Sequence, residues 1–360
     1  MVSLLAFLFV LGVLIIAHEL GHFMAAKKMG IRIEKFSLGF GYKLISRKKD
    51  DTEYTICLIP LGGYVKFAGD TLEEYKGKQD EFLSKAPRQR AFVIFMGPAL
   101  NYVLGFLCFW IIFFSGYPSL TTKVGSLVDG YGAQEAGIRA GDTVVAVDGA
   151  KVKFFEDMQK LIQNKKAADT ARLSVTRNGR EYSFDVRIKE KALPDLLGKK
   201  QTVGLIGITP ADEIITVKHG LIEAFGLAVR KTWDLTVLMY TAFWRMITGN
   251  LSVRDSVSGP LGIFYITAQA AQLGPTALLH LIAVLSVSLA IFNLLPMPIL
   301  DGGHIMFLII ERIRGKQLSL KAEQIITQAG LTILLSLVVL VTYNDIMRFY
   351  GDKIVNLFKP

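Results

Sequence analysis

The chain has 360 residues, 51% of them hydrophobic and 20% charged, and a mean hydropathy of +0.40, too apolar for an ordinary soluble protein yet with many groups that need water. A membrane protein with sizeable aqueous portions satisfies both facts. The formal charge of +10 is spread over loops rather than gathered on one motif, which argues against nucleic acid as a partner. Cys57 and Cys108 form no CxxC, so neither a disulfide framework nor a thiolate metal site is indicated.

Residues 1–26 form an apolar run with no basic segment before it and Lys27-Lys28, not a small-residue cleavage site, after it, so it reads as a retained transmembrane helix. Inside it stand two of the five histidines, in Ala17-His18-Glu19-Leu20-Gly21-His22. HExxH spacing places both imidazoles on one helix face, where both reach a single zinc, and leaves the glutamate beside the metal's water as general base. Ionisable groups at membrane depth are costly and persist mainly for function. The alternative is a polar patch in a signal anchor. At about 1.5 Å per residue, His22 lies only about 6 Å from the end of a helix finishing at Ala26, within reach of water from that side.

Residues 27–90 carry β-type stretches, Phe36 to Gly41 and Tyr54 to Val65, with glycines that allow close backbone approach. They suit a membrane-associated β-hairpin with an edge that a peptide could join, or an ordinary hairpin between spans. A second span covers 91–116, preceded by Lys85, Arg88 and Arg90. Both spans carry their positive flank on the loop between them, which makes that loop cytoplasmic and the amino terminus external.

From 117 to 192 the pattern changes to short β runs with turn glycines, a helix with Phe154, Phe155, Met158, Leu161 and Ile162 on one face, and strands joined by Asn178-Gly179. Residues 193–275 read as a linker with one amphipathic helix, Leu221 to Ile247, lying on the membrane because Arg230, Lys231, Asp234 and Arg245 interrupt it. Spans three and four cover 276–304 and 325–345, with Glu311, Arg312, Arg314, Lys316 and Lys321 between them on the inner side.

A catalytic zinc usually has three protein ligands and an open position. Span three ends in Asn293-Leu294-Leu295-Pro296-Met297-Pro298-Ile299-Leu300-Asp301-Gly302-Gly303-His304, where two prolines break the helix at membrane depth. Asp301 is the third-ligand candidate, with the N-cap of a following helix as its alternative. His304 is read as cytoplasmic surface.

The run Ala136-Gly137-Ile138-Arg139-Ala140-Gly141-Asp142-Thr143-Val144-Val145-Ala146-Val147-Asp148-Gly149 resembles a PDZ domain of the kind found in bacterial membrane proteases. With the HELGH helix, the broken NLLPMPILDGGH span, Gly97-Pro98-Ala99-Leu100-Asn101, Ile59-Pro60-Leu61-Gly62-Gly63-Tyr64-Val65-Lys66 and Ser258-Gly259-Pro260-Leu261-Gly262, nearly the whole chain resembles a site-2 protease of the bacterial regulator of sigma-E type. It departs in having room for one PDZ domain where some members carry two. The resemblance implies a polytopic α-helical membrane protein with four transmembrane helices, a β-hairpin region and one outward-facing PDZ domain. It further implies one zinc per chain on His18, His22 and Asp301, with Glu19 as catalytic base. Asn293 matches the family's asparagine, which would hold the substrate backbone or the oxyanion, or else join neighbouring helices. Asn101 is expected to hydrogen-bond a neighbouring helix. The implied substrates are single-span membrane proteins, such as an anti-sigma factor or a remnant signal peptide, cut in regulated intramembrane proteolysis at the bacterial inner membrane. The PDZ domain would take a peptide or a carboxyl terminus, or act only as a size filter. The reading from a different class is a catalytically silent PDZ membrane scaffold.

Overall fold

The computed structural model describes residues 2–166, 169–194, 198, 200–252, 256–315 and 320–357; Lys316, one of the basic flank residues, lies outside them. The chain divides into two compact units, residues 1–112 with 222–360, and residues 113–221.

In the first unit, helix α1 runs over Val2–Lys28 and ends on Lys27 and Lys28, which suit a helix carboxyl end. Strands β1 (Ile33–Lys49) and β2 (Thr52–Phe67) follow, then helix α2 (Pro87–Ser115), whose first-turn proline needs no amide partner. Among the described residues, four helices are long and apolar enough to cross a membrane: Val2–Lys28, Pro87–Ser115, Pro275–Asn293 and Gln324–Phe349. Val2, Leu5 and Phe9 of α1 are exposed, as a lipid-facing surface would be.

β1 and β2 do not make a simple hairpin. Phe36 pairs with both Val65 and Tyr54, and Tyr54 with both Phe36 and Arg47, so each strand bends and the two together build four segments in the order 43–49, 52–57, 33–38, 63–67. The bends fall at Gly39 and Gly41, whose φ angles of 87° and 85° other residues resist, and at Pro60-Leu61-Gly62 opposite. This divides the expected edge stretches: Phe36 to Leu38 and Tyr54 to Ile56 are interior, while Gly63 to Val65, the end of the Tyr54-to-Val65 stretch, lies on the outer segment 63–67, the other outer segment being 43–49. The sheet packs on α1 through Phe23, which meets the rings of Phe36 and Tyr54 at centroid distances of 5.4 and 6.1 Å.

The second unit begins with strands β3 (Tyr117–Leu120) and β4 (Val124–Leu127), a short helix α3 (Gly132–Glu135), strands β5 (Thr143–Val147) and β6 (Ala150–Lys151), and helix α4 (Phe155–Gln163). Strands β7 (Thr170–Arg177), β8 (Arg180–Arg187), β9 (Lys189–Pro194), β10 (Lys200–Leu205), β11 (Ile208–Pro210) and β12 (Ile214–Val217) complete it. Asn178 and Gly179 both take positive φ, the turn that lets β7 and β8 pair with matching twist. The sheet order β6-β5-β7-β8 encloses a core of Val144, Val147, Met158, Ile162, Leu173, Val175, Val186 and Ile188.

The boundary expected at residue 192 moves outward. β11 pairs with β4 and β12 with β3, so the unit closes at Leu221, and its first strands find their strand partners in chain from beyond 200. Of the supposed linker 193–275, residues 195–197, 199 and 253–255 lie outside the described set.

Back in the first unit, α5 (Leu221–Ile247) is a single helix, as its amphipathic pattern suggests. It runs antiparallel to α2: Phe225 meets Phe106 and Trp110, and Tyr102 Oη lies 2.9 Å from Thr236 Oγ1. Helix α6 (Pro260–Leu273) and helix α7 (Pro275–Asn293) follow. The third span therefore stops at Asn293 rather than continuing to 304. Tight turns fill 294–300, with the Leu295 amide donating to Phe292 O and that of Leu300 to Met297 O, because Pro296 and Pro298 lack the N–H groups a helix needs. Helix α8 (Asp301–Arg314) and helix α9 (Leu320–Leu357) end the chain's described part.

Candidate metal centre

Three elements meet at the HExxH motif. His18, Glu19 and His22 come from α1, and Asp301 opens α8. Gly21 and Gly97 let α2 lie directly on α1, since a Cβ at Gly21 would strike the Met96 carbonyl and one at Gly97 the His22 imidazole. At the other wall, side chains on Gly302 or Gly303 would collide with the turn carbonyls of Leu294, Leu295 and Met297. The two glycines after Asp301 thus allow the broken segment to fold flat against the start of α8.

His18 Nε2 lies 3.2 Å from His22 Nε2 and 3.2 Å from Asp301 Oδ2, and His22 Nε2 lies 3.5 Å from Asp301 Oδ1. Donors about 2.0–2.1 Å from a tetrahedral centre stand about 3.3–3.4 Å apart; the two imidazole nitrogens are close to that spacing, and the Asp301 carboxylate offers a different oxygen to each of them. Two imidazole nitrogens and one carboxylate oxygen form a donor set suited to zinc, and this is the three-residue cluster within 4.8 Å found among the described residues. The side chains of the three retain exposures of 15%, 11% and 17%, which leaves an approach for water and a substrate carbonyl.

His22 Nδ1 is 3.0 Å from Val93 O, so the ring donates there and presents Nε2 to the other two ligating atoms. The N-cap alternative for Asp301 does not describe what is seen: the N-cap position is Leu300, and the Asp301 carboxylate faces the imidazoles. Glu19 is buried. A Cβ on Gly63 would lie 3.0 Å from Glu19 Cγ and 2.8 Å from Ile15 Cγ2, which brings the start of the outer segment 63–67 beside the motif. Asn293 ends α7, half-buried and without a side-chain hydrogen bond among the described residues. His304 is exposed against Phe307. Asn101 departs from expectation: it is fully buried, and neither amide atom has a partner among the described residues. Arg90, read as part of a basic flank, is buried in an ion pair with Glu311 of α8, 2.7 Å away.

The model of peptidase family M50 matches residues 6–337. The chain belongs to this family, that of the site-2 proteases. A family member of Geobacillus kaustophilus named "Zinc metalloprotease RasP" is 30% identical, over 97% of this chain and 98% of its own. A Campylobacter jejuni protein named as a candidate zinc metalloprotease is 32% identical over 98% and 95%, and one from Clostridium acetobutylicum, named likewise, 34% over 96% of each. Among solved structures, the PDZ domain of the SdrC-like protein of Listeria innocua is 23% identical and covers 26% of this chain and 96% of its own, with a TM-score of 0.21.

One feature of the 113–221 unit lies outside the expected stretch 117–192. Gly204, Leu205, Ile206, Gly207 and Ile208 line a groove of about 270 Å³ with Phe155, Met158 and Ile162 of α4. The paired glycines of Gly204-Leu205-Ile206-Gly207 were the available signal, but they stand beyond the expected boundary. In the same unit, burial opposes ionisation of Asp142, and bonds from Arg177 at 2.7 Å and from the Arg139 amide at 2.8 Å outweigh it, holding this carboxyl below the usual range.

Proposed function

We propose that the M50 chain is an intramembrane zinc endopeptidase that cuts the spanning helices of single-span membrane proteins. The convergence of His18 and His22 with Asp301, from the far end of the sequence, with one atom of each within 4.8 Å of the others, supports this reading. One zinc per chain would be held by these three residues; bound there, it supplies Lewis acidity that polarises a peptide carbonyl and acidifies water.

Glu19, next to His18 on the same helix, accepts the proton of the attacking water and returns it to the leaving amine. Asn293 is the candidate to hydrogen-bond the substrate backbone or the oxyanion. A helix hides its carbonyls in internal bonds and must be unwound before attack; the outer segment 63–67, which begins beside Glu19, offers a strand for the unwound peptide to join. The basic residues between the spans orient the amino terminus and the PDZ-like unit outward and set the centre near the cytoplasmic face of a bacterial inner membrane. The groove at Gly204 to Ile208 suits an extended peptide or a free carboxyl terminus exposed by earlier trimming of the substrate.

The test is purified full-length protein with elemental analysis and a cleavage assay on a membrane-embedded model helix. Glu19→Gln should retain zinc and lose about 10²- to 10⁴-fold in rate. Undiminished cleavage would refute the role of Glu19, and a zinc-free, inactive wild type would leave the scaffold reading in its place.

A further inference from the structure

Three buried polar groups near the centre have no hydrogen-bond partner among the described residues: Nδ1 of His18 on α1, both amide atoms of Asn101 on α2, and the hydroxyl of Ser286 on α7. Asn101 and Ser286 are fully inaccessible, at 0%. The packing brings them within about one helical turn of one another. α1 and α2 are antiparallel with Gly21 against Met96 and Gly97 against His22, so one turn back along α1 to His18 matches one turn forward along α2 to Asn101. One turn further, at Gly105, α2 meets α7: a Cβ there would lie 2.5 Å from Val287 Cγ2 and 2.9 Å from Ala283 O, the stretch that contains Ser286.

A histidine that binds metal through one nitrogen almost always donates from the other, which fixes its tautomer and raises its basicity. His22 has Val93 O for this purpose, and His18 has no protein acceptor among the described residues. Burying unsatisfied amide and hydroxyl groups is costly, and buried water typically resolves such clusters with about three hydrogen bonds.

We propose that Asn101 and Ser286 hold a buried water that accepts the hydrogen bond of His18 Nδ1–H and thereby sets His18 Nε2 toward the metal. This rests on His18 being a metal ligand, as proposed above. The water accepts from Nδ1–H and donates to Asn101 Oδ1 and Ser286 Oγ. Asn101 and Ser286 are then positioning residues, and the Gly97-to-Asn101 stretch of α2 supplies both the space for His22 and the support for His18.

The experiment measures zinc affinity by chelator competition, the ligand-field spectrum of the cobalt-loaded protein, and melting of the metal-free protein, all on the full chain in detergent. Asn101→Leu should weaken zinc binding about 10- to 100-fold and alter the cobalt spectrum, with melting little changed; Asn101→Ser, which keeps a polar atom and room for water, should recover most of the affinity. Unchanged zinc affinity in Asn101→Leu, with wild type binding zinc, overturns the water site. Absence of zinc from the wild type overturns the metal reading instead. If Asn101→Leu does not fold, an experimental structure of the zinc-loaded wild type decides: ordered water within hydrogen-bond distance of His18 Nδ1 supports the site, and a protein atom there overturns it.

Discussion

On the proposed ligand set, Asp301→Ala removes one of three protein donors. A four-donor structural zinc site is worth roughly 10–16 kcal/mol, or about 2.5–4 kcal/mol for each donor. At about 1.4 kcal/mol per decade, losing Asp301 should raise the zinc dissociation constant by about two to three decades. The observed separations, 3.2 and 3.5 Å from the two imidazole nitrogens, place its carboxylate beside both histidines. The assay is chelator competition on full-length protein in detergent, with Asp301→Asn and His18→Ala alongside. Asp301→Asn, isosteric but uncharged, should fall between wild type and Asp301→Ala. If Asp301→Ala shifts zinc affinity by less than about threefold while His18→Ala abolishes binding, Asp301 is not a ligand, and its place beside the histidines is only an ionic contact.

Gly97→Ala should weaken zinc binding at least about tenfold, because the new methyl group meets the His22 ring, with 2.8 Å left to Cδ2, while Val93 O restrains that ring from turning away; chelator competition reads it, and an unaltered affinity would mean that α2 yields. Arg90→Ala leaves the half-buried Glu311 without its partner and should destabilise the protein by roughly 1–3 kcal/mol, measured as a loss of melting temperature, with Arg90→Met/Glu311→Met recovering much of it. In the PDZ-like unit the folded carboxyl of Asp142 lies below its unfolded value, so its contribution is complete above about pH 4 and is lost as pH falls further. Amide exchange in β5 and β7, corrected for intrinsic rates, should therefore quicken between pH 6 and pH 3 in wild type, and Arg177→Met should remove most of that pH dependence.

Much of this protein is written locally. Apolar runs of bilayer length announce the four long helices, since a chain in lipid must satisfy its backbone within each segment. HELGH declares its own geometry, because four residues are about one helical turn and two imidazoles so spaced share a face. Asn178-Gly179 announces its hairpin for a similar reason: only such residues accept the positive φ of that turn.

What the sequence left open is set by contacts between distant segments. β1 and β2 read as one hairpin; that Gly39, Gly41 and the Pro60–Gly62 stretch fold each strand back on itself, exchanging interior for edge, depends on which segments pair. The PDZ-like unit ends at 221 because β11 and β12 return to β4 and β3 from beyond its obvious motif. By itself the sequence determined the helices, their flanking charges and the pairing of His18 with His22, all matters of period and spacing along one segment. Only the tertiary structure decided that the carboxylate of Asp301 stands 3.2 Å from His18, and that Asn101 is sealed in without a partner among the described residues. Those are distances between helices, set by glycines at 21, 97, 302 and 303 that allow backbones to touch, and no periodicity within a helix encodes them.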